Sequence, residues 1–217
     1  MEPTTNWIRL YRTRFDRHYA SAKLAADPVY EAVARTLAGS DLPLLDIGCG
    51  LGLLVFFLRS RGFTAEIHAL DFDARKVAEA ARVAREAGID GVRFECVDAG
   101  EGLPHHAGHV TLLDVLQYLP PEKQTSLVRA AAAAVAPGGQ LVIRTGLRAV
   151  NWRFRLTVLA DRLGRAVRWM RSAPICYPER AHLEALLREA GLGGGVRPLW
   201  GRTPFHNHLL IYRRSIG

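Results

Sequence analysis

The stretch Leu44-Leu45-Asp46-Ile47-Gly48-Cys49-Gly50-Leu51-Gly52 constrains this chain more than any other. An apolar run, Pro43 to Ile47, reads as a buried strand. Leu53 to Leu58 then reads as a helix, closed by Arg59 to Gly62 with a basic last turn and a glycine stop. Between them, three glycines alternate with Cys49 and Leu51. Residues without a Cβ allow unusual backbone angles and let a ligand lie against the main chain. The free N–H groups at the start of the helix point toward that ligand. The spacing is G-x-G-x-G rather than the G-x-G-x-x-G of dinucleotide sites. Asp46 also stands two residues before the first glycine, where a carboxylate suits an ammonium or sulfonium better than a pyrophosphate.

The pattern around this loop repeats. Glu66 to Leu70 reads as a strand ending at Asp71-Phe72-Asp73, and Ala74 to Ala87 as a helix stopped by Gly88. Val92 to Val97 is a third strand, ending at Asp98-Ala99. His109 to Leu113 is a fourth, running into Asp114-Val115-Leu116-Gln117-Tyr118-Leu119. Pro121 opens a helix, and Gln140 to Arg144 follows as a fifth strand. Alternating strands and helices argue for a parallel sheet covered on both faces, with every strand C-terminus on one edge. Asp46, Asp71, Asp98 and Asp114 each end a different strand, so they gather where such sheets bind ligands. Four carboxylates there repel one another unless a ligand or donor groups fill the space.

The ends of the chain differ from this core. Trp7, Leu10, Tyr11, Phe15 and Tyr19 recur at helical spacing and predict one amphipathic helix over residues 6–24. Asp27 is expected to cap a second helix, with Pro28 in its first turn and Gly39 as its stop. Pro178 opens a last helix running to Ala190. Gly195 to Trp200 and Asn207 to Tyr212 form a closing pair of strands, antiparallel because Gly201-Arg202-Thr203-Pro204 is too short for a helical crossover.

With these residues in view, Asp46-Ile47-Gly48-Cys49-Gly50-Leu51-Gly52 resembles the first motif of class I methyltransferases that use S-adenosylmethionine (SAM). The resemblance is strongest from Leu44 to Arg144. It implies an α/β fold: a Rossmann-like doubly wound sheet of about seven strands, mostly parallel with an antiparallel C-terminal hairpin, plus N-terminal helices and a helical lid. It also implies cofactor contacts at Asp46, Gly48, Cys49, Gly50 and Gly52. Asp71 is expected on the ribose hydroxyls, Phe72 on an adenine face, and Asp98 and Ala99 at the adenine amino group. Asp114, Val115 and Leu116 are expected to line the methionine end. An acid at Asp71 also suits a nicotinamide enzyme, so that position alone does not choose. Gln117 occupies a position where many relatives carry histidine, and glutamine cannot act as a base. Tyr19, Tyr118, Tyr177, His206 and His208 remain as candidate bases, each equally readable as a packing residue. His105 and His106 read as solvated loop residues. A second, fainter likeness runs from Asp114 to Glu122 and from Pro198 to Phe205. It is to methyltransferases of polyene and fatty-acid-like biosynthesis, and it implies a phenolic, polyene or acyl substrate, free or carrier-bound.

At 217 residues the chain suits a single domain, with residues 1–40 as N-terminal helices and 149–177 as an insertion. Cys49, Cys96 and Cys176 make neither a disulfide framework nor a metal pattern. No signal peptide and no run of roughly 18 apolar residues is present, so the expectation is a cytoplasmic enzyme, with peripheral membrane contact as an addition. The net charge is +8, yet Arg144 to Arg171 holds eight arginines against Asp161 alone. The reading is a basic lid whose Arg153, Arg162, Arg165 and Arg168 meet an acidic carrier protein or an anionic membrane surface. RNA is the competing anionic partner, disfavoured because no second module is present. A non-catalytic SAM-binding module and a nicotinamide-dependent oxidoreductase compete with the methyltransferase reading of the glycine loop.

Overall fold

Seven strands share one sheet in the order β3-β2-β1-β4-β5-β7-β6, in a computed structural model that describes residues 3–149, 176–200 and 206–216. The strands are β1 Leu44–Ile47, β2 Ile67–Asp71, β3 Val92–Cys96, β4 His109–Leu113, β5 Gln140–Gly146, β6 Leu192–Pro198 and β7 Asn207–Arg214. The first five run parallel, and β7 pairs antiparallel with both β5 and β6. Strand order reverses between β1 and β4, and ligand sites of open α/β sheets lie at such a reversal. Pairing of Gly146 with Asn207 brings the start of β7 to the same edge as the ends of β1 to β5.

Helices cover both faces. α1 Arg14–Ala26, α2 Val29–Leu37, α3 Leu53–Ser60 and α4 Ala74–Glu86 precede α5 Pro121–Ala133 and α6 Arg180–Glu189. Side chains alternate across each strand. Leu44, Ala69, Val142 and Leu209 therefore join one apolar cluster with α2 and α3, while Leu45, Leu112, Ile143 and Leu210 join another with α5 and α6.

Three expectations need correction. The helix predicted over 6–24 is broken: Pro3–Leu10 is a 3-10 helix, and Thr13 starts α1 by accepting the Asp16 N–H. Trp7 and Tyr11 are buried, but Phe15 beyond the break is 55% exposed, so the stripe is not continuous. The sixth strand begins at Leu192, not Gly195; a Cβ on Gly194 would strike the Ile211 carbonyl, so glycine lets β7 approach closely. His106 is not simply solvated, since it is half-buried and bonded to the His109 carbonyl at 2.9 Å. The expected lid with Arg153, Arg162, Arg165 and Arg168, and the expected turn at 201–204, lie outside the described residues.

Candidate active site

β1 delivers Asp46 to the reversal point with 2% exposure. Thr111 of β4 donates its hydroxyl to Asp46 Oδ1 at 2.7 Å, while Oδ2 has no hydrogen-bond partner among the described residues. Burial pushes its pKa up to about 7, against the Thr111 bond, with the Asp71 charge adding to the rise. Burial also drives the Cys49 thiol well above its usual range, helped by the same two carboxylates.

The loop above Asp46 is shaped by three left-handed glycines, Gly48, Gly50 and Gly52. Gly48, at φ 81°, lies so close to Val115 that a Cβ would fall inside that side chain's methyl. Gly50, at φ 55°, has nothing within 4 Å of where its Cβ would stand, so its bare backbone faces open space. α3 then starts after Gly52 with no side-chain cap. Tyr11 steadies the loop by donating its hydroxyl to the Leu51 carbonyl at 2.7 Å.

β2 supplies Asp71, which is buried and accepts the Gly50 N–H at 2.8 Å and the Asp73 N–H at 2.9 Å. Donor groups therefore answer part of the repulsion expected among the four acids, and each Asp71 oxygen keeps a second lone pair. Phe72 follows with its ring 56% exposed. Asp98, beyond β3, is exposed and accepts the Gly100 N–H at 2.8 Å, with Ala99 packed behind it. The end of β4 departs from expectation in its side chains. The Asp114 carboxylate is engaged by Arg144 and Lys23, and Leu116 is 1% exposed in the α5–α6 core, so neither presents a free side chain at the edge.

Further along the edge lie the candidate bases. Tyr19 on α1 and Tyr118 in the 3-10 turn Leu116–Tyr118 are both half-buried. His206 and His208 are buried, with ring centroids 4.5 Å apart, and Trp200 lies 6.3 and 6.4 Å from them. His208 Nδ1 donates to the His206 carbonyl at 3.3 Å, which leaves Nε2 as the lone-pair nitrogen of a neutral ring. Burial, then the neighbouring His206, lowers the His208 pKa and favours that neutral form. Thr145, the cross-strand neighbour of His208, donates to Gln117 Oε1 at 3.2 Å. Gln117 thus holds the floor of this corner rather than a proton. Tyr177 packs its ring against Gly146 on the same side.

Sequence reasoning missed Thr111 under Asp46 and the cluster of Lys23, Asp27 and Arg144. No local pattern announces a partner on another strand or helix. Arg144 carried a signal, as a cation at the end of a buried strand, but it read as part of the basic stretch.

A family model described as a methyltransferase domain matches residues 15–193. A ubiquinone biosynthesis O-methyltransferase of Xanthomonas euvesicatoria is 31% identical over 172 residues, covering 77% of this chain and 70% of that protein. The protein of the same name from Pseudomonas entomophila is 33% identical over 113 residues, covering 51% of this chain and 46% of the relative. In fold, the chain resembles magnesium protoporphyrin IX methyltransferase from Synechocystis with bound S-adenosylhomocysteine (SAH), at TM-score 0.68 and 21% identity over 96% of this chain and 93% of the other. A [4+2]-cyclase matches at TM-score 0.67 and 20% identity, over 88% and 82%, so the shared fold does not itself fix a reaction. The family match does that: the chain belongs to the methyltransferase-domain family and is a class I, SAM-dependent methyltransferase.

Proposed function

We propose that the protein methylates a hydroxyl of a small apolar or aromatic molecule, a phenol above all, free or carrier-bound. The observation that carries this reading is the buried His206–His208 pair beside Trp200 and Tyr177, on the sheet edge that holds the glycine loop. The O-methyltransferase names of the relatives support the same substrate class.

The residues at that edge fit SAM. Asp46 Oδ2, buried and without a partner among the described residues, suits the ammonium of its methionine end. The open face at Gly50 leaves room for the ligand against the backbone, and the spare lone pairs of Asp71 suit the ribose hydroxyls. The exposed ring of Phe72 suits an adenine face, and Asp98 with the Ala99 backbone suits its amino group. Gly48, Cys49 and Gly52 contribute loop backbone, and Asp114, Val115 and Leu116 close the methionine end through theirs. SAM brings a methyl group already activated on a sulfonium, so the cofactor carries the hard chemistry. What remains for this chain is to orient the acceptor and to take its proton. A neutral His208, with Nε2 as its lone-pair nitrogen, can accept that proton, and such general-base help is worth roughly 10²–10⁴-fold. Trp200 and Tyr177 offer flat apolar walls to an aromatic ring.

The test is methyl transfer from labelled SAM to a panel of catechols and other phenols, to an acyl-carrier-bound phenol and to RNA. Label in an organic-extractable methyl ether, lost in His208→Asn with SAH affinity retained, is the expected result. Label confined to RNA would replace the phenol reading with the nucleic-acid one.

A further inference from the structure

Four charged side chains meet where the N-terminal helices touch the ends of β4 and β5. Arg144 is 6% exposed; its Nη2 donates to Asp27 Oδ2 at 2.8 Å and its Nη1 to Asp114 Oδ2. Lys23 Nζ, from the last turn of α1, lies 2.9 Å from the same Asp27 oxygen and 3.5 Å from the same Asp114 oxygen. Two acids and two cations balance, so the cluster does not call for a further ion. Desolvation offsets much of the attraction in a buried ion cluster, and fixing one arrangement is its better-attested use.

The arrangement in question is at Asp114. Among the described residues it is the non-glycine residue with a positive φ, 61°. Aspartate visits this region more readily than most L residues, yet less readily than glycine, and its surroundings decide whether it stays. Arg144 grips it twice: the Asp114 N–H donates to the Arg144 carbonyl at 2.8 Å, and the Arg144 guanidinium holds the Asp114 carboxylate. The turn so formed carries the chain into Val115, whose methyl occupies the space that a Cβ on Gly48 would need. The first glycine of the loop is therefore shaped against a residue whose position depends on Arg144.

We infer that Arg144 is a positioning residue for the cofactor. Braced by Asp27 and Lys23, it imposes the left-handed turn at Asp114 that seats Val115 on Gly48, and so links α1 and the α1–α2 corner to the glycine loop. It touches no reacting atom. The inference rests on the placement of SAM along that loop proposed above.

Calorimetric titration of the full chain with SAH tests the two separately. Asp71→Ala reports on the placement, because Asp71 is not part of the ion cluster; unchanged affinity there would end the placement and with it the inference. Arg144→Lys keeps the cation but cannot span both acids, and is expected to weaken SAH binding about tenfold, or ~1.4 kcal/mol. Adding Asp114→Gly supplies a residue that takes the left-handed turn unaided. The double variant should regain affinity to within about threefold of wild type, while its ligand-free melting temperature stays at or below that of Arg144→Lys. Asp27→Asn loosens the brace from the other side and should weaken SAH binding in the same direction. Wild-type affinity in Arg144→Lys or in Asp27→Asn, or a double variant as weak as Arg144→Lys alone, would overturn the inference.

Discussion

Asp46 sits at the end of β1 with one oxygen on Thr111 and the other without a partner among the described residues. Its folded pKa of about 7 exceeds the ~3.9 of an unfolded aspartate. Its contribution to ligand-free stability is thus fully present below about pH 4 and is lost as pH rises through 7. A ligand ammonium needs the ionised form instead. SAH affinity should therefore climb by up to about tenfold per pH unit from pH 5 to 7, with proton release visible in buffers of different ionisation enthalpy. Asp46→Asn should flatten that profile without lowering the ligand-free melting point at pH 8; a profile as steep as wild type would show that the ammonium lies elsewhere. Asp71 differs, because it is already bonded to two backbone N–H groups. Asp71→Ala should weaken SAH binding roughly 10–100-fold, the equivalent of a lost charged hydrogen bond of about 1.5–3 kcal/mol. It should also lower ligand-free stability by about 1–3 kcal/mol, since the Gly50 and Asp73 N–H groups lose their acceptor. Affinity within twofold of wild type would remove Asp71 from the ribose site. Both acids could be read from sequence, because each ends a strand; their different hydrogen-bond partners could not, because Thr111 lies 65 positions from Asp46.

The N-terminal segment shows where helical spacing misleads. Apolar residues continue at intervals of three and four across Thr13, but Thr13 caps a new helix and the chain changes direction there. Trp7, before the break, is 6% exposed, with its ring centroid 4.9 Å from that of Phe56 on α3. The next residues are stitched to α4: Arg82 donates to the Leu10 carbonyl at 2.6 Å and the Arg12 N–H donates to Glu79 at 2.7 Å. Trp7→Ala should therefore cost about 3–5 kcal/mol in equilibrium urea unfolding. Phe15→Ser, on the outer side of α1, should stay within about 0.5 kcal/mol. Comparable losses in the two variants would mean that one continuous apolar stripe packs on the body after all. The parallel strands were legible because their signal is local: a short apolar run, a carboxylate, a glycine or a helix start. The Arg144–Asp27 bond spans 117 positions, and the glycine run 193–195 pairs as a strand only because β7 is there to meet it. Such features depend on which elements become neighbours, and composition does not carry that.

At the scale of the whole chain, charge is the property that sequence fixes and packing redistributes. The net charge is +8, and Arg144 to Arg171 holds most of it. Arg144 is committed inside the fold to Asp27 and Asp114, whereas Arg148 pairs with Glu179 at 3.2 Å in an exposed contact that a partner can displace. Between residues 149 and 171 there remain six arginines and one aspartate, in sequence that lies outside the described residues. No helix among the described residues is long and apolar enough to cross a membrane. Near an anionic bilayer each arginine contributes about 1 kcal/mol, screened beyond a Debye length of roughly 8–10 Å. Changing Arg153, Arg162, Arg165 and Arg168 to Glu takes the formal net charge from +8 to about zero. Sedimentation with phosphatidylserine vesicles at low salt should fall steeply in that variant, and wild type should lose the same binding as salt rises. SAH affinity should stay within about twofold, because none of the changed positions belongs to the cofactor residues or to the Arg144 cluster. An acidic carrier protein, titrated in parallel, distinguishes a protein partner from a lipid surface. Equal vesicle and carrier binding by the variant and wild type at low salt would leave this stretch as an ordinary solvated surface, with substrate reaching the site unaided.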